Sequence, residues 1–306
     1  LLYRAGLAVS SRKRKSPVYY ANALMAKRLR EYLEQEKFDA VLTPHLYPAE
    51  TLTYLKSKGV SVPPVIAIGT DYTCIPFWEE TQCDYYVIPH QDLTEEYVRR
   101  GVPREKIKPF GIPVSASFSI QGNRAQERKK RNLPQQVPLY LVMSGSMGFG
   151  KIQIFVHRLN WQLKNGEHII VICGRNEKLR KLLKKQFQNI PSVHIIGFTK
   201  HVAEYMDLSD VIFTKPGGLT STEAAVKRIP IVHTRPIPGC ETENLRFFAE
   251  RGMSVGSRNM KEQIEMGIKL GEDPKEREQM RVSQKKQIKG DAADKIYYLL
   301  ENLTKR

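Results

Sequence analysis

The sequence predicts an α/β protein built from two Rossmann-like, doubly wound domains. Short apolar runs alternate with segments of helical period in both halves of the chain, and glycine-containing turns follow several of these runs. Strands that alternate with helices favour parallel sheets covered by helices on both faces. A chain of 306 residues, of which 41% are hydrophobic and 26% charged, is long enough for two such globular domains.

The first half is expected to begin with a single amphipathic helix over residues 17–36, because apolar residues recur there at helical spacing. Apolar runs bounded by turn residues then predict four strands. They lie at 40–42, 65–68, 85–88 and 107–110, with helices at 48–58 and 91–101.

The second half predicts six strands in the same alternation. They lie at 139–143, 168–173, 193–196, 211–214, 229–233 and 253–255. We assign the domains to residues 1–118 and 137–285, and the polar, basic stretch 119–136 to a linker, because it has no apolar period. Residues 286–306 predict a last helix. Ligands of open α/β sheets bind outside the carboxyl ends of the strands, so the turns after the second-domain strands are the expected binding region.

The most informative stretch is KPGGLTSTEAAVKRIPIVHTRPIPGCETEN, from Lys215 to Asn244. A buried strand is expected to end in its glycine turn, and a helix to start at Thr220. Glycines let the backbone approach a ligand closely, and a helix start points unpaired N–H groups at an anion. A nucleotide pocket is one interpretation. The other is a capping box formed by Thr220 and Glu223, which needs no ligand.

These residues resemble the nucleotide-sugar signature of GT-B glycosyltransferases, most closely the monogalactosyldiacylglycerol synthases and the bacterial diacylglycerol glucosyltransferases. Those sequences carry a KPGG(I/L)T…EA segment and then a PGQExxN loop, and both stand here at the same separation. The resemblance covers nearly the whole chain. It implies that the second domain binds a UDP-sugar and the first binds diacylglycerol. It also implies inverting transfer of a hexose, glucose or galactose, with no metal or other cofactor.

The resemblance also assigns donor-binding residues. Those expected to face the diphosphate are Ser144, Gly145, Ser146, Gly148, Gly217, Gly218, Thr220 and Ser221. Those expected to wall the uridine are Gly174, Arg175, Asn176 and Phe198. Glu223 is expected to accept both ribose hydroxyls, and Glu241 and Asn244 match the loop that contacts the donor sugar. Cys240 stands where the family usually has Gln, which leaves the sugar preference open.

In the first domain, Thr70–Trp78 and Thr43–Pro48 resemble family segments on the acceptor side. Asp71 is expected to act as a general base or to orient one, with a helix cap as the equal alternative. His45 is a candidate proton carrier, with a purely structural role as the alternative. The family's GGGH loop and first βαβ unit have no counterpart in this sequence, so this domain is expected to be incomplete at its N-terminus and transfer to be poor. The resemblance further implies that the last helix packs back on the first domain.

The formal net charge of +17 implies an anionic partner. The clearest basic run, Arg12, Lys13, Arg14 and Lys15, lies beside apolar residues, a pattern typical of binding to an anionic membrane surface. No apolar run approaches the ~18 residues that cross a bilayer, and the four cysteines stand singly, which favours reduced thiols. We therefore expect a cytoplasmic protein that is peripheral on the inner face of the cell membrane.

Two alternatives remain open. The same fold serves peptidoglycan-type N-acetylglucosaminyltransferases and UDP-sugar epimerases. From a different class, the charge alone also describes a nucleic-acid-binding protein. The sequence has neither an RNA-binding K/R-G-F/Y-G-F signature nor zinc-finger spacing, so no nucleic-acid partner is expected.

Overall fold

The computed structural model describes residues 15–143 and 152–305. The chain divides into two compact units, the first made of Leu1–Pro113 and Asp291–Arg306 and the second of Val114–Gly290. Each unit is a parallel sheet with helices, so the predicted fold class is confirmed.

The first unit contains a sheet of four parallel strands in the order β1-β2-β3-β4. The strands are β1 (Val41–Thr43), β2 (Val65–Ile68), β3 (Tyr85–Val87) and β4 (Ile107–Lys108). The helices are α1 (Pro17–Ala23), α2 (Ala26–Glu36), α3 (Leu46–Ser57) and α4 (Thr94–Arg100), with 3-10 turns at Trp78–Glu80, Gln91–Leu93 and Arg104–Lys106. Strand β2 is apolar and buried along its whole length, as parallel strands covered on both faces are.

The second unit contains a sheet of six parallel strands in the order β10-β9-β8-β5-β6-β7. The strands are β5 (Leu139–Met143), β6 (His168–Ile172), β7 (Val193–Ile196), β8 (Val211–Thr214), β9 (Ile231–His233) and β10 (Val255–Gly256). The chain runs outward from β5 through β6 to β7, crosses to β8 on the other side of β5, and runs outward again to β10, which is the Rossmann strand order. The winding reverses between β5 and β8, and the carboxyl ends of these strands are where such sheets bind ligands.

The helices of the second unit connect these strands. They are α5 (Ala116–Ser119), α6 (Arg124–Lys130), α7 (described from Ile152 to Gln162), α8 (Glu177–Gln186), α9 (Val202–Leu208), α10 (Gly218–Val226), α11 (Cys240–Glu250), α12 (Met260–Glu272) and α13 (Pro274–Gln287). The core lies between the sheet and α7, α8, α12 and α13, and includes Val142, Phe155, Leu183 and Phe213.

The last helix, α14 (Ala292–Thr304), belongs to the first unit. Ile296 packs with Ile66, Ile68 and Val87 of the first sheet, and Leu299 and Leu303 lie against the same cluster. The chain breaks its helical path after Gln287, since Ile288 to Asp291 are not helical. The predicted helix over residues 286–306 is therefore divided, because its first two residues end α13 and the rest of the helix is α14.

The expected amphipathic helix over residues 17–36 is also two helices, interrupted at Leu24 and Met25. Several of its apolar side chains are exposed and do not reach a core. Leu24 is 84% exposed and Met25 55%, and Tyr32 is also exposed. The apolar spacing predicted the helical conformation correctly, but it gave no information on whether another element covers that face.

The stretch 119–136 differs from the predicted linker, because it belongs to the second unit and contains α6. Arg128 is completely buried. Its guanidinium donates to the carbonyl oxygens of Leu208, Pro134 and Val137 and, at 2.7 Å, to Asp210 Oδ2. In the sequence, a basic run predicts a solvated surface, and only the structure shows that one of its arginines is buried.

Replacement of Arg128 by Met should lower the free energy of unfolding of the second unit by about 3–5 kcal/mol. It removes the buried cation beside Asp210 Oδ2, which leaves this carboxylate only the partly exposed Arg124, and it leaves the carbonyl oxygens of Leu208, Pro134 and Val137 without their donor. The matched control is Lys130→Met in the same basic run. The Lys130 side chain is 65% exposed and pairs only with Glu127, so its loss should cost less than about 1 kcal/mol. Urea unfolding followed by circular dichroism measures both values, and equal costs would contradict a structural role for the buried pair.

Candidate functional site

The polar turns of the second unit gather at the carboxyl edge of its sheet, where parallel strands end together. The turn from Lys215 to Gly218 follows β8, and the loop from Thr234 to Gly239 follows β9. The turn after β5 carries Ser144, Gly145, Ser146 and Gly148, and these four predicted residues lie outside the described part of the chain.

Helix α10 begins at Gly218, with Gly217 as its N-cap. Among residues 15–143 and 152–305, no side chain caps this start, because glycine has none and no other described residue supplies one. The first N–H groups of the helix and the positive end of its dipole therefore remain available to an anion. Thr220 is already inside the helix, so it cannot be an N-cap, and the capping-box interpretation of Thr220 and Glu223 is wrong.

Glu223 lies on α10 with a largely buried carboxyl group. Burial raises the pKa of this carboxyl to about 7, and within the described residues loss of hydration is the only cause. No residue in the described ranges 15–143 and 152–305 makes a hydrogen bond or an ion pair with it. An acidic group that is dehydrated and has no cation or donor beside it is costly to the fold and is characteristic of a binding site.

Ser221 is not placed for phosphate binding, contrary to the prediction. Its hydroxyl is completely buried and lies 3.0 Å from His233 Nε2. On the other side of the ring, His233 Nδ1 lies 3.0 Å from the hydroxyl of Ser254. Burial lowers the pKa of His233 to about 3, so the ring is neutral and joins α10 to the strand edge through two hydrogen bonds. Sequence reasoning missed His233, whose one signal is a polar residue at the end of an apolar strand.

Glu241 and Asn244, predicted to contact the donor sugar, tie the two turns of the motif together. Glu241 Oε1 lies 2.6 Å from Lys215 Nζ, and Glu241 Oε2 accepts the N–H of Ile237 at 2.8 Å. Asn244 is completely buried, and its amide donates to the carbonyl oxygen of Pro216 at 3.0 Å. Gly239 precedes α11 with φ +117°, a backbone conformation that favours glycine.

Two of the four residues predicted to contact the uridine, Arg175 and Phe198, lie side by side in the structure. Gly174, in the left-handed region at φ +56°, turns the chain after β6. The guanidinium of Arg175 then lies over the ring of Phe198, 5.2 Å from its centre, and both side chains are exposed. Asn176 has a structural contact as well, because its side chain caps α8 by accepting the N–H of Leu179 at 3.0 Å.

In the first unit, His45 and Asp71 follow the neighbouring strands β1 and β2. His45 is exposed and is the N-cap of α3, where Nδ1 accepts the N–H of Tyr47 at 3.3 Å. Asp71 lies in a bend, and the next helical turn starts after Phe77 without a side-chain cap. The helix-cap alternative for Asp71 is therefore wrong.

The loop that carries Asp71 is held by α4. Glu96 Oε1 accepts the hydroxyl of Thr73 at 2.7 Å and the N–H of Cys74 at 2.9 Å. No sequence pattern predicts this contact, because Glu96 resembles any acidic residue in the first turn of a helix.

Arg12, Lys13 and Arg14 of the predicted membrane-binding run lie outside the described residues. Lys15 is tied to the fold, because its ammonium donates to the carbonyl oxygen of Glu80 at 2.5 Å. Among the helices of the described residues, none is both long enough and apolar enough to cross a membrane. Within the same ranges, no group of three or more His, Cys, Asp or Glu residues is arranged to hold a metal ion.

Two family models match the chain. The model described as monogalactosyldiacylglycerol (MGDG) synthase matches residues 1–114, and the model described as glycosyl transferases group 1 matches residues 124–287.

Two relatives are named processive diacylglycerol beta-glucosyltransferase. The protein of Staphylococcus carnosus is 31% identical over 247 residues, which are 80% of this chain and 62% of the relative. The protein of Bacillus cereus is 32% identical over 248 residues, 79% of this chain and 61% of the relative. The chain thus spans less than two thirds of the length of either relative.

The crystal structure of Acinetobacter baumannii MurG, a GT-B protein, superposes with a TM-score of 0.64. The superposition covers 92% of this chain and 79% of the MurG chain, and the two sequences are 16% identical. This likeness shows the fold, and it supports the GT-B class that the sequence predicts.

Glu223→Gln should stabilise the unliganded protein at pH 8 and not at pH 4.5. The pKa of Glu223 is raised from 4.5 to about 7 in the fold, so the ionised carboxylate is penalised above pH 7. Below pH 4.5 the group is protonated in both folded and unfolded states and the penalty vanishes. At 1.36 kcal/mol per pKa unit the gain reaches up to about 3 kcal/mol at pH 8. Urea unfolding at the two pH values measures it.

The control for this experiment is Glu243→Gln. Glu243 pairs with Arg246 on the surface of α11, so its loss should change stability by less than about 1 kcal/mol. A gain for Glu223→Gln that is the same at both pH values would show that the carboxylate is hydrated in the fold.

Proposed function

This chain belongs to the glycosyl transferases group 1 family, and on that basis we propose that it transfers a hexose from a UDP-sugar to diacylglycerol. The names of its relatives support diacylglycerol as the acceptor and favour glucose as the sugar. The match of residues 1–114 to monogalactosyldiacylglycerol synthase supports the same acceptor.

The observation that carries the donor part of this proposal is the state of Glu223. Its carboxylate is dehydrated and lacks a donor among the described residues, one turn along α10 from an uncapped helix start. Two ribose hydroxyls would donate the missing hydrogen bonds to the carboxylate, while the N–H groups at the helix start would donate to the diphosphate. One helix then reads both the ribose and the phosphates of a nucleotide.

The uracil is proposed to lie against Phe198 and Arg175. An exposed aromatic ring gives a base a face on which to stack, and a guanidinium already lies over that ring. Asn176 and Gly174 shape the turn that brings Arg175 to this position.

For the acceptor, we assign the general base to Asp71. It would take the proton from the diacylglycerol hydroxyl as that oxygen attacks the anomeric carbon from the side opposite to UDP, which inverts the configuration. His45 is the weaker candidate, because its Nδ1 already accepts the N–H of Tyr47. Glu96 supports the assignment by fixing the loop on which Asp71 lies.

The exposed apolar face of α1 and α2 is proposed to contact the membrane that contains the acceptor. Leu24 and Met25 stand at the junction of the two helices, and Lys27 and Arg28 follow on the surface. Apolar side chains flanked by cations are typical of binding at an anionic lipid interface. The basic run Arg12 to Lys15 precedes these helices and would add to the same attraction.

Glu223→Gln should weaken the binding of uridine and of UDP by about 10- to 100-fold, because it removes hydrogen bonds to a charged acceptor. Uracil, which has no ribose, should bind equally to both proteins. In the wild-type protein, the affinity for uridine should rise about tenfold from pH 6 to pH 8, as a group with a pKa of about 7 ionises. Titration calorimetry measures all three ligands, and unchanged uridine affinity in the variant would remove Glu223 from the site.

Transfer is tested with diacylglycerol in vesicles and labelled UDP-glucose or UDP-galactose. We expect incorporation of glucose, and more of it when the vesicles contain anionic lipid. The double variant Leu24→Ser/Met25→Ser should lower both vesicle sedimentation and transfer, with the affinity for UDP unchanged. Equal sedimentation with neutral and anionic vesicles would contradict the electrostatic part of the membrane contact.

Asp71→Asn should lower transfer by about 10²–10⁴-fold while vesicle binding stays intact.

A further inference from the structure

Lys215 carries its positive charge beside the start of a helix, where a cation is disfavoured. It is the first residue of the turn after β8, three residues before α10 begins at Gly218. Its side chain runs past Gly217, with Cε 4.0 Å from the position that a Cβ of that glycine would take. The ammonium therefore lies near the helix start that no side chain of the described residues caps.

Glu241 offsets this unfavourable placement. Its carboxylate lies 2.6 Å from the Lys215 ammonium and stands in the first turn of α11, where an acidic group is favoured. The second oxygen of the same carboxylate holds the loop after β9 through the N–H of Ile237. Glu241 thus uses one oxygen for the backbone and one for the cation.

The ion pair is not needed to join the two turns. Asn244 already links α11 to the turn after β8 through the carbonyl oxygen of Pro216. The Lys215 side chain is 25% exposed, so its ammonium can turn on its flexible stem without unfolding the turn. Its charge is therefore available to a ligand.

We propose that Lys215 exchanges partners during the reaction, leaving Glu241 for the diphosphate of the bound nucleotide-sugar. This inference rests on the proposed function, because the anion is the diphosphate of the donor. When the bond between the sugar and the diphosphate oxygen breaks, its electron pair stays on that oxygen, and the Lys215 ammonium stabilises the added charge without transferring a proton. Glu241 is then the resting partner of Lys215, and its carboxylate does not bind the sugar.

Calorimetry with uridine, UDP and UDP-glucose tests this exchange. Lys215→Met should lower the affinity for UDP by about 10- to 100-fold and leave uridine within about twofold, because only the phosphates lose a charged donor. Lys215→Arg, which keeps the charge, should recover most of the loss. Lys200→Met is the matched control, since Lys200 is an exposed cation in the loop after β7, on the same edge of the sheet.

Glu241→Gln separates the proposed role from a sugar contact. The Gln oxygen can still accept the N–H of Ile237, but the variant no longer competes for Lys215. We expect affinities for UDP and UDP-glucose to rise together by several-fold, with the affinity for uridine unchanged.

A selective loss of affinity for UDP-glucose over UDP would instead make Glu241 a sugar ligand and overturn the exchange. Equal UDP affinity in Lys215→Met and wild type would also overturn it. Failure of the wild-type protein to bind either uridine or UDP would refute the proposed function itself.

Discussion

The buried ion pair between Arg128 and Asp210 fixes the two strands on which the site depends. Asp210 immediately precedes β8, its carboxylate accepts the N–H of Leu139 at the start of β5, and its own N–H donates to the carbonyl oxygen of Leu139, both at 2.8 Å. Arg128 neutralises that carboxylate where water cannot reach. The register of β5 against β8 is thus set at their amino ends. Because the register also determines where the two strands end, it places the candidate site at the point where the strand order reverses.

At that edge, two charged groups stand in positions that the unliganded fold does not favour. Glu223 is dehydrated and has no donor among the described residues, and Lys215 stands near a helix start that disfavours a cation, a cost that Glu241 offsets. Neither arrangement favours the empty fold, and both suit a ligand that has hydroxyls and phosphates. A ligand that supplies the missing hydrogen bonds and opposite charge removes this unfavourable free energy and therefore binds more tightly. The same two residues thus lower the stability of the unliganded protein and raise its affinity for the ligand. His233 differs, because its neutral ring is fully paired by Ser221 and Ser254 and serves the packing of α10.

The first unit presents a different surface. Its candidate base stands on a loop fixed by Glu96, whereas its first two helices expose Leu24 and Met25. A polar loop suits a hydroxyl, and an apolar face flanked by cations suits a lipid surface. Both features agree with the proposed acceptor, a lipid alcohol, while the proposed nucleotide site belongs to the second unit. This division follows the order in which the two family models match the chain.

The sequence by itself determined the fold class, most strands and the location of the binding edge. Apolar runs such as Leu139–Met143 leave few alternatives to a buried parallel strand, and the glycine turn after β8 predicts a helix start close by, which the structure places at Gly218 and not at Thr220. Tertiary structure decided what each side chain contacts. It enclosed Arg128, took Ser221 into the interior, paired Lys215 with Glu241 and left Leu24 exposed. The physical reason is that periodicity depends on neighbouring residues in the chain, whereas burial and pairing depend on residues distant in sequence, such as Arg128 and Asp210.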